Sequence, residues 1–175
     1  MKIVIVRLGN GLGNQLFTYA TAYVFAKKNN AKLYVDDESG FYKRYKYGLN
    51  NFRITAPIIE KKYKFLGYTG RIKRKVLQKI NIIKKDKIFL IEKKDKNKLT
   101  YYNPEQLNIN FSKKIYIEGY FQSEKYFLNH KDDLLKEFTF KENIQLQNSS
   151  FINEIKDSNS VSIHIRQERF LASEG

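Results

Sequence analysis

Near its start the chain switches hydrophobic period across a short glycine-rich turn. Residues 2–8, KIVIVRL, form a continuous Ile/Val-rich run, the pattern of a strand buried on both faces in a parallel sheet. Gly9, Gly11 and Gly13 follow within five residues. From Asn14 onward Leu16, Phe17, Ala20, Val24 and Lys27 recur at helical spacing, and Asn29 and Asn30 stop the helix. Residues 31–37, AKLYVDD, then read as a second strand ending in two acids. Strand, turn, helix, strand is a βαβ unit, so the expected fold class is α/β with a parallel sheet and flanking helices.

A chain of 175 residues is one ordinary domain's length, and 42% hydrophobic with 15% aromatic residues suffices for a packed core. The absence of cysteine removes disulfides, thiolate catalysis and cysteine metal sites. A net charge of +15 points toward an anionic partner: nucleic acid, an anionic membrane surface or a phosphorylated substrate. The basic residues are mostly Lys and accompany many Asn, Ile and Tyr, a composition that AT-rich coding also produces, so charge alone does not choose among these. No segment approaches the ~20 apolar residues of a membrane span, and no secretory signal precedes the first strand. A cytoplasmic location is expected.

Residues 40–54 are aromatic and basic without a clean period, as in a surface loop or irregular excursion. In residues 71–83, Ile72, Val76, Ile80 and Ile83 share one helical face among Lys and Arg. Such a basic amphipathic helix can lie on an anionic membrane or pack one face on the domain as an ordinary surface helix. Lysines continue to Lys98, and the stretch at about 58–100 reads as a basic excursion. Residues 113–140 open with a strand pattern, after which Ser123 is placed to cap a helix buried through Leu128, Leu134, Leu135 and Phe138. Residues 159–170 read as a further strand, with Val161, Ile163 and Ile165 on one side and Ser162, His164 and Arg166 on the other.

The glycine turn misses the dinucleotide fingerprint by one place, because the sixth position holds Asn14 and the third glycine comes at 13. Asp36 and Asp37 nevertheless end the second strand where a ribose-binding acid would sit, which keeps a NAD-type domain as an alternative. No Gly-Lys-Ser/Thr follows, so a phosphate-binding loop of the triphosphatase kind is excluded. Turn geometry alone would account for the glycines. It does not account for Asn14 and Gln15 at the helix start, two amides suited to hydroxyls or phosphates beside exposed N–H groups.

NGLGNQLFTYATAYVFA resembles the opening of glycosyltransferase family 11, the α-1,2-fucosyltransferases, whose members carry Gly-Gly-Leu-Gly-Asn-Gln-Met/Leu-Phe-x-Tyr-Ala. Asn10 replaces the family's first glycine, while Gly11 through Phe17, Tyr19 and Ala20 match. IEGYFQSEKYF, at 117–127, is similar to the family's Gly-Tyr-Phe-Gln-Ser-x-x-Tyr-Phe segment, and SVSIHIR, at 160–166, resembles the strand opening its His-x-Arg-Arg-x-Asp motif. That last motif departs after Arg166, where Gln167, Glu168 and Arg169 follow and the chain stops at Gly175. A truncated or frame-shifted product, inactive by itself, is the expectation.

The resemblance implies the N-terminal Rossmann-like half of a GT-B glycosyltransferase. Residues 1–158 would form an acceptor-side domain and residues 159–175 the start of a donor-binding one. The implied reaction is inverting transfer of L-fucose from GDP-fucose to the 2-hydroxyl of a galactose-containing glycan, in surface-glycan or O-antigen synthesis, with no metal required. Without a metal, cationic side chains and helix N-termini must hold the departing diphosphate, and an arginine fork suits that task. Arg166, His164, Asn14 and Gln15 would therefore face the donor diphosphate, with Gly11 and Gly13 permitting close approach. Glu118, Tyr120, Gln122 and Ser123 would face the acceptor, and Glu118 or Asp36 would serve as base. Peripheral contact with the inner membrane through 71–83 remains open. The competing class is a basic nucleic-acid-binding module, with rings among basic residues at 41–53 stacking on bases; no RNA-binding signature accompanies it.

Overall fold

The computed structural model describes residues 1–41, 45–97, 100–142 and 149–163. They divide into two units, Met1–Thr139 and Phe140–Gly175. The first unit contains β1 (Lys2–Arg7), α1 (Leu12–Lys28), β2 (Ala31–Asp36), α2 (Gly67–Ile83), β3 (Phe89–Ile91), β4 (Lys114–Glu118) and α3 (Lys131–Glu137). The strands form one parallel sheet in the order β2-β1-β4-β3. The expected α/β class with flanking helices is what the chain adopts.

Because side chains alternate along a strand, each face of the sheet draws on every second residue. Val4, Val6, Leu33, Val35, Ile115 and Ile117 pack with Tyr19, Ala22, Phe25 and Ala26 of α1. Ile5, Phe89 and Tyr116 turn to the other face, where Phe65 and Leu77 cover them. Both faces are thus buried, which explains why residues 3–6 read as an unbroken apolar run. Helix α1 is correspondingly buried almost all round, with alanines at 20, 22 and 26 letting it lie close to the sheet. Asn29 caps its end, Asn30 turns left-handed at φ 49°, and Lys27 and Lys28 sit where the helix dipole favours positive charge.

Several expectations need correction. Residues 40–54 are no surface loop in their described part: Leu49 and Phe52 insert into the core beside α1. The basic stretch at 58–100 supplies both α2 and the edge strand β3. Asn81 of α2 joins the two, its Nδ2 donating to Phe89 O (3.0 Å) and its Oδ1 accepting from Ile88 N and Phe89 N (2.7 and 2.9 Å). At the opposite edge, β2 is covered by residues 57–59, with Val35 N donating to Pro57 O and Ile59 N to Val35 O, both 2.9 Å. After β4 the chain makes short 3-10 turns before α3, and only Leu134 of the four expected residues is fully buried; Leu128 and Leu135 are exposed. Glu137 ends α3 inside the core, accepting from Tyr19 Oη (2.7 Å), Thr55 N (2.8 Å) and Thr55 Oγ1.

The second unit contains α4 (Ser149–Lys156). Residues 161–163, expected to begin a strand, lie in no regular element, since no described neighbour supplies a hydrogen-bonded ladder. His164 and Arg166 lie outside the described residues.

Candidate active-site cleft

From β1 the chain runs first to β2 on one side and later to β3 and β4 on the other. In open parallel sheets ligands bind outside the strand carboxyl ends where the connections diverge in this way. A cavity of about 310 Å³ lies there, lined by residues that include Arg7, Asn10, Arg74, Glu92, Glu118 and Tyr120.

The floor is built by the turn after β1. Asn10 adopts φ 63°, a left-handed conformation that a short amide side chain tolerates where other residues are strained. This is the position at which the fucosyltransferase pattern has glycine. Gly9 and Gly40 pack backbone on backbone, and a Cβ on either would overlap the other's main chain or that of Leu8. Asp36, fully buried at the end of β2, accepts from Glu38 N (3.2 Å), Ser39 N (2.9 Å) and Ser39 Oγ. Arg7 is tied to the same turn through Ser39 Oγ (3.0 Å) and Ser39 O, and its Nε lies 4.0 Å from Glu118 Oε1.

The wall comes from β4 and the turn after it. Glu118, 5% exposed, is clamped by the Arg74 fork and by Gln78 Nε2 (3.1 Å), both from α2; Arg74 Nε to Glu118 Oε1 is 2.8 Å. Glu92, just beyond β3, is also buried and accepts Tyr120 N at 2.6 Å. Among the described residues, no other hydrogen bond reaches its second oxygen. Phe121 has φ 48°, a costly conformation for a bulky residue, held because its ring is fully buried edge-on to Tyr126. That strained turn presents Tyr120 and Gln122 on either side of the buried ring. Gln122 Nε2 meets Asn14 Oδ1 at 2.6 Å, and Thr18 Oγ1 donates to Gly119 O at 2.9 Å. Two of the three sequence blocks that resemble a sugar transferase, a hundred residues apart, therefore meet at one place.

The expected residues divide. Glu118 and Tyr120 line the cleft, and Asn14 and Gln122 bond to each other two residues beyond Tyr120, outside its lining. Gln15 does not face it: 1% exposed, its amide donates to Asn10 O and Lys46 O and accepts from Gly48 N, all at 2.9 Å, so it fastens the 46–48 segment. Asp36 is likewise spent on its own turn. Ser123 stands at the start of a 3-10 turn without a side-chain cap. Gly11 and Gly13 answer no internal demand, for a Cβ on Gly11 would meet only Tyr45 at 3.8 Å and one on Gly13 nothing within 4 Å. Arg7, Arg74, Glu92 and Lys94 escaped the sequence reading. Arg7 had one signal, a charge ending a buried strand; Arg74 sits on an expected helix but opposite its apolar stripe, and Glu92 and Lys94 follow a short strand hidden among lysines.

A doubly wound parallel sheet with a polar cleft between two carbohydrate-type motifs defines a Rossmann-like glycosyltransferase half. The chain belongs to glycosyltransferase family 11, whose model matches residues 3–174. It is 33% identical over 181 residues to an Escherichia coli protein described as an alpha-1,2-colitosyltransferase, covering 99% of this chain and 57% of that protein. The chain thus spans little more than half the length of that relative. No solved structure matches significantly.

Proposed function

We propose that this cleft is the acceptor side of an inverting transfer of L-fucose from GDP-fucose to the 2-hydroxyl of a galactoside. The meeting of Asn14 with Gln122 at the rim is the observation that carries it, because it joins the family's opening motif to its second motif. In the reaction the acceptor oxygen bonds to the sugar C1 as the C1–phosphate bond breaks, the electron pair leaves with GDP, and the hydroxyl proton passes to a base. Glu92 suits that last task better than the sequence candidates. Asp36 is enclosed, and Glu118 is held by two arginines and serves to position Arg7 and Arg74. The uncapped first turn of α1, with Gly11 and Gly13 offering no side chain, leaves room for the donor's diphosphate. His164 and Arg166 are proposed as its further ligands.

Saturation-transfer NMR with lactose tests the acceptor side. Saturable contact is expected, weakened about tenfold or more in Gln122→Ala and unchanged by cellobiose as competitor; no contact in the wild-type chain would sink the reading. A second donor reading follows from the relative's name. Colitose is L-fucose without its 3-hydroxyl, and the GDP-sugar that gives the larger rise in Tm identifies the donor.

A further inference from the structure

Helix α2 packs on the domain with the wrong face. At helical spacing Gly70, Arg74, Leu77, Gln78 and Asn81 turn inward: Gly70 lies against the Phe65 backbone, Leu77 packs on the core, Arg74 and Gln78 reach Glu118, and Asn81 holds β3. The apolar stripe of Ile72, Val76, Ile80 and Ile83 is consequently left outside, with Val76 51% and Ile83 86% exposed. An ordinary surface helix buries such a stripe. Lys73 and Lys84 flank it on one side, Lys75 and Lys79 on the other. From Lys61 through Lys85 there are ten basic residues and no acidic one.

Beside the Lys73 flank, at the amino ends of β3 and β4, a hollow of about 290 Å³ is lined by residues that include Lys73, Lys84, Lys113 and Lys114, together with Asp86, Lys87 bonded to Asn81 O and Lys62 paired with Glu60. Burial, and then the neighbouring Lys73 charge, push the Lys114 pKa down, and an anionic partner would offset both.

We propose that α2 docks the protein on the surface of an anionic phospholipid bilayer, its isoleucine stripe among the acyl chains and its lysines, with the adjoining hollow, on the headgroup phosphates. An apolar stripe alone would suit many partners; one bordered on both sides by lysine, on a helix that carries no acidic residue of its own, is complementary to a surface that is apolar within and anionic at its boundary. Lysine is suited to such a boundary, because its stem can lie along apolar surface while its ammonium group reaches outward. This inference does not depend on sugar transfer.

Flotation of the full 175-residue chain with vesicles of phosphatidylglycerol and phosphatidylethanolamine tests it. Binding is expected to these vesicles and not to pure phosphatidylcholine, and to weaken as salt is raised. The triple variant Ile72→Ser/Val76→Ser/Ile83→Ser should partition at least tenfold less, and Lys75→Glu/Lys79→Glu should lose most of the anionic preference. Both variants should keep the wild-type circular dichroism and lactose contact, since none of these side chains faces the core. A wild-type chain that stays at the bottom of the gradient overturns the proposal. So does a triple variant that floats as well as wild type, or a wild-type dimer that the triple variant converts to monomer, which would assign the stripe to a second copy.

Discussion

Asn10 shows how one residue can carry a backbone requirement under a different name. The fucosyltransferase pattern has glycine there, and the left-handed φ of 63° explains both choices, since Gly and Asn are the residues that visit that region at little cost. Asn10→Gly is expected to leave stability within about 0.5 kcal/mol, whereas Asn10→Val should cost about 1–2 kcal/mol, both read from urea denaturation. The substitution was visible in the sequence; the conformation behind it was not. Gln15 carries the opposite lesson. Its place in the motif suggested a ligand, yet its three hydrogen bonds hold the chain to itself, and residue identity does not distinguish an amide that binds from one that folds. Glu92 was illegible because nothing local marks a glutamate that a later turn will bring beside Tyr120.

Among the elements, those with strong periods were legible: β1, α1, β2 and β4 all fall where the patterns put them. Strand β3 was missed because the four apolar residues Ile88–Ile91, between Lys87 and Glu92, give too short a signal, and pairing with β4 supplies what the sequence lacks. For α2 the period was right, and of its two readings the structure overturns one: the apolar stripe does not pack on the domain. Periodicity says which residues share a face, but here hydrogen bonds from Arg74, Gln78 and Asn81 decide which face turns inward. Gly70 belongs to that inward face, and it yields a prediction opposite to helix propensity. Replacing a helical glycine by alanine ordinarily gains up to about 1 kcal/mol. At Gly70 the new Cβ would overlap the carbonyl carbon of Phe65, main chain that cannot rotate away. Gly70→Ala should therefore destabilise the protein by about 1–3 kcal/mol, seen as a lower Tm.

Across the first unit, buried tyrosines set the alkaline limit. Burial pushes the Tyr47 hydroxyl up to about 12, and drives those of Tyr19 and Tyr116 higher still. An unfolded tyrosine ionises near pH 10, so above that pH the unfolded chain releases protons that the folded chain retains, and stability falls as pH rises. The contribution is complete below about pH 10 and is lost upward through 12, at no more than about 1.4 kcal/mol per pH unit for each tyrosine. Urea midpoints should hold between about pH 7 and 9 and drop above about 10, with tyrosinate absorbance rising in the same transition. The sheet has a separate consequence for life in a crowded solution. One rim is sealed by residues 57–59, and the other is three residues long and followed by Lys93, Lys94 and Lys96. Neither offers an incoming strand a long unpaired template, so encounters between molecules are left to charge repulsion rather than to backbone zippering.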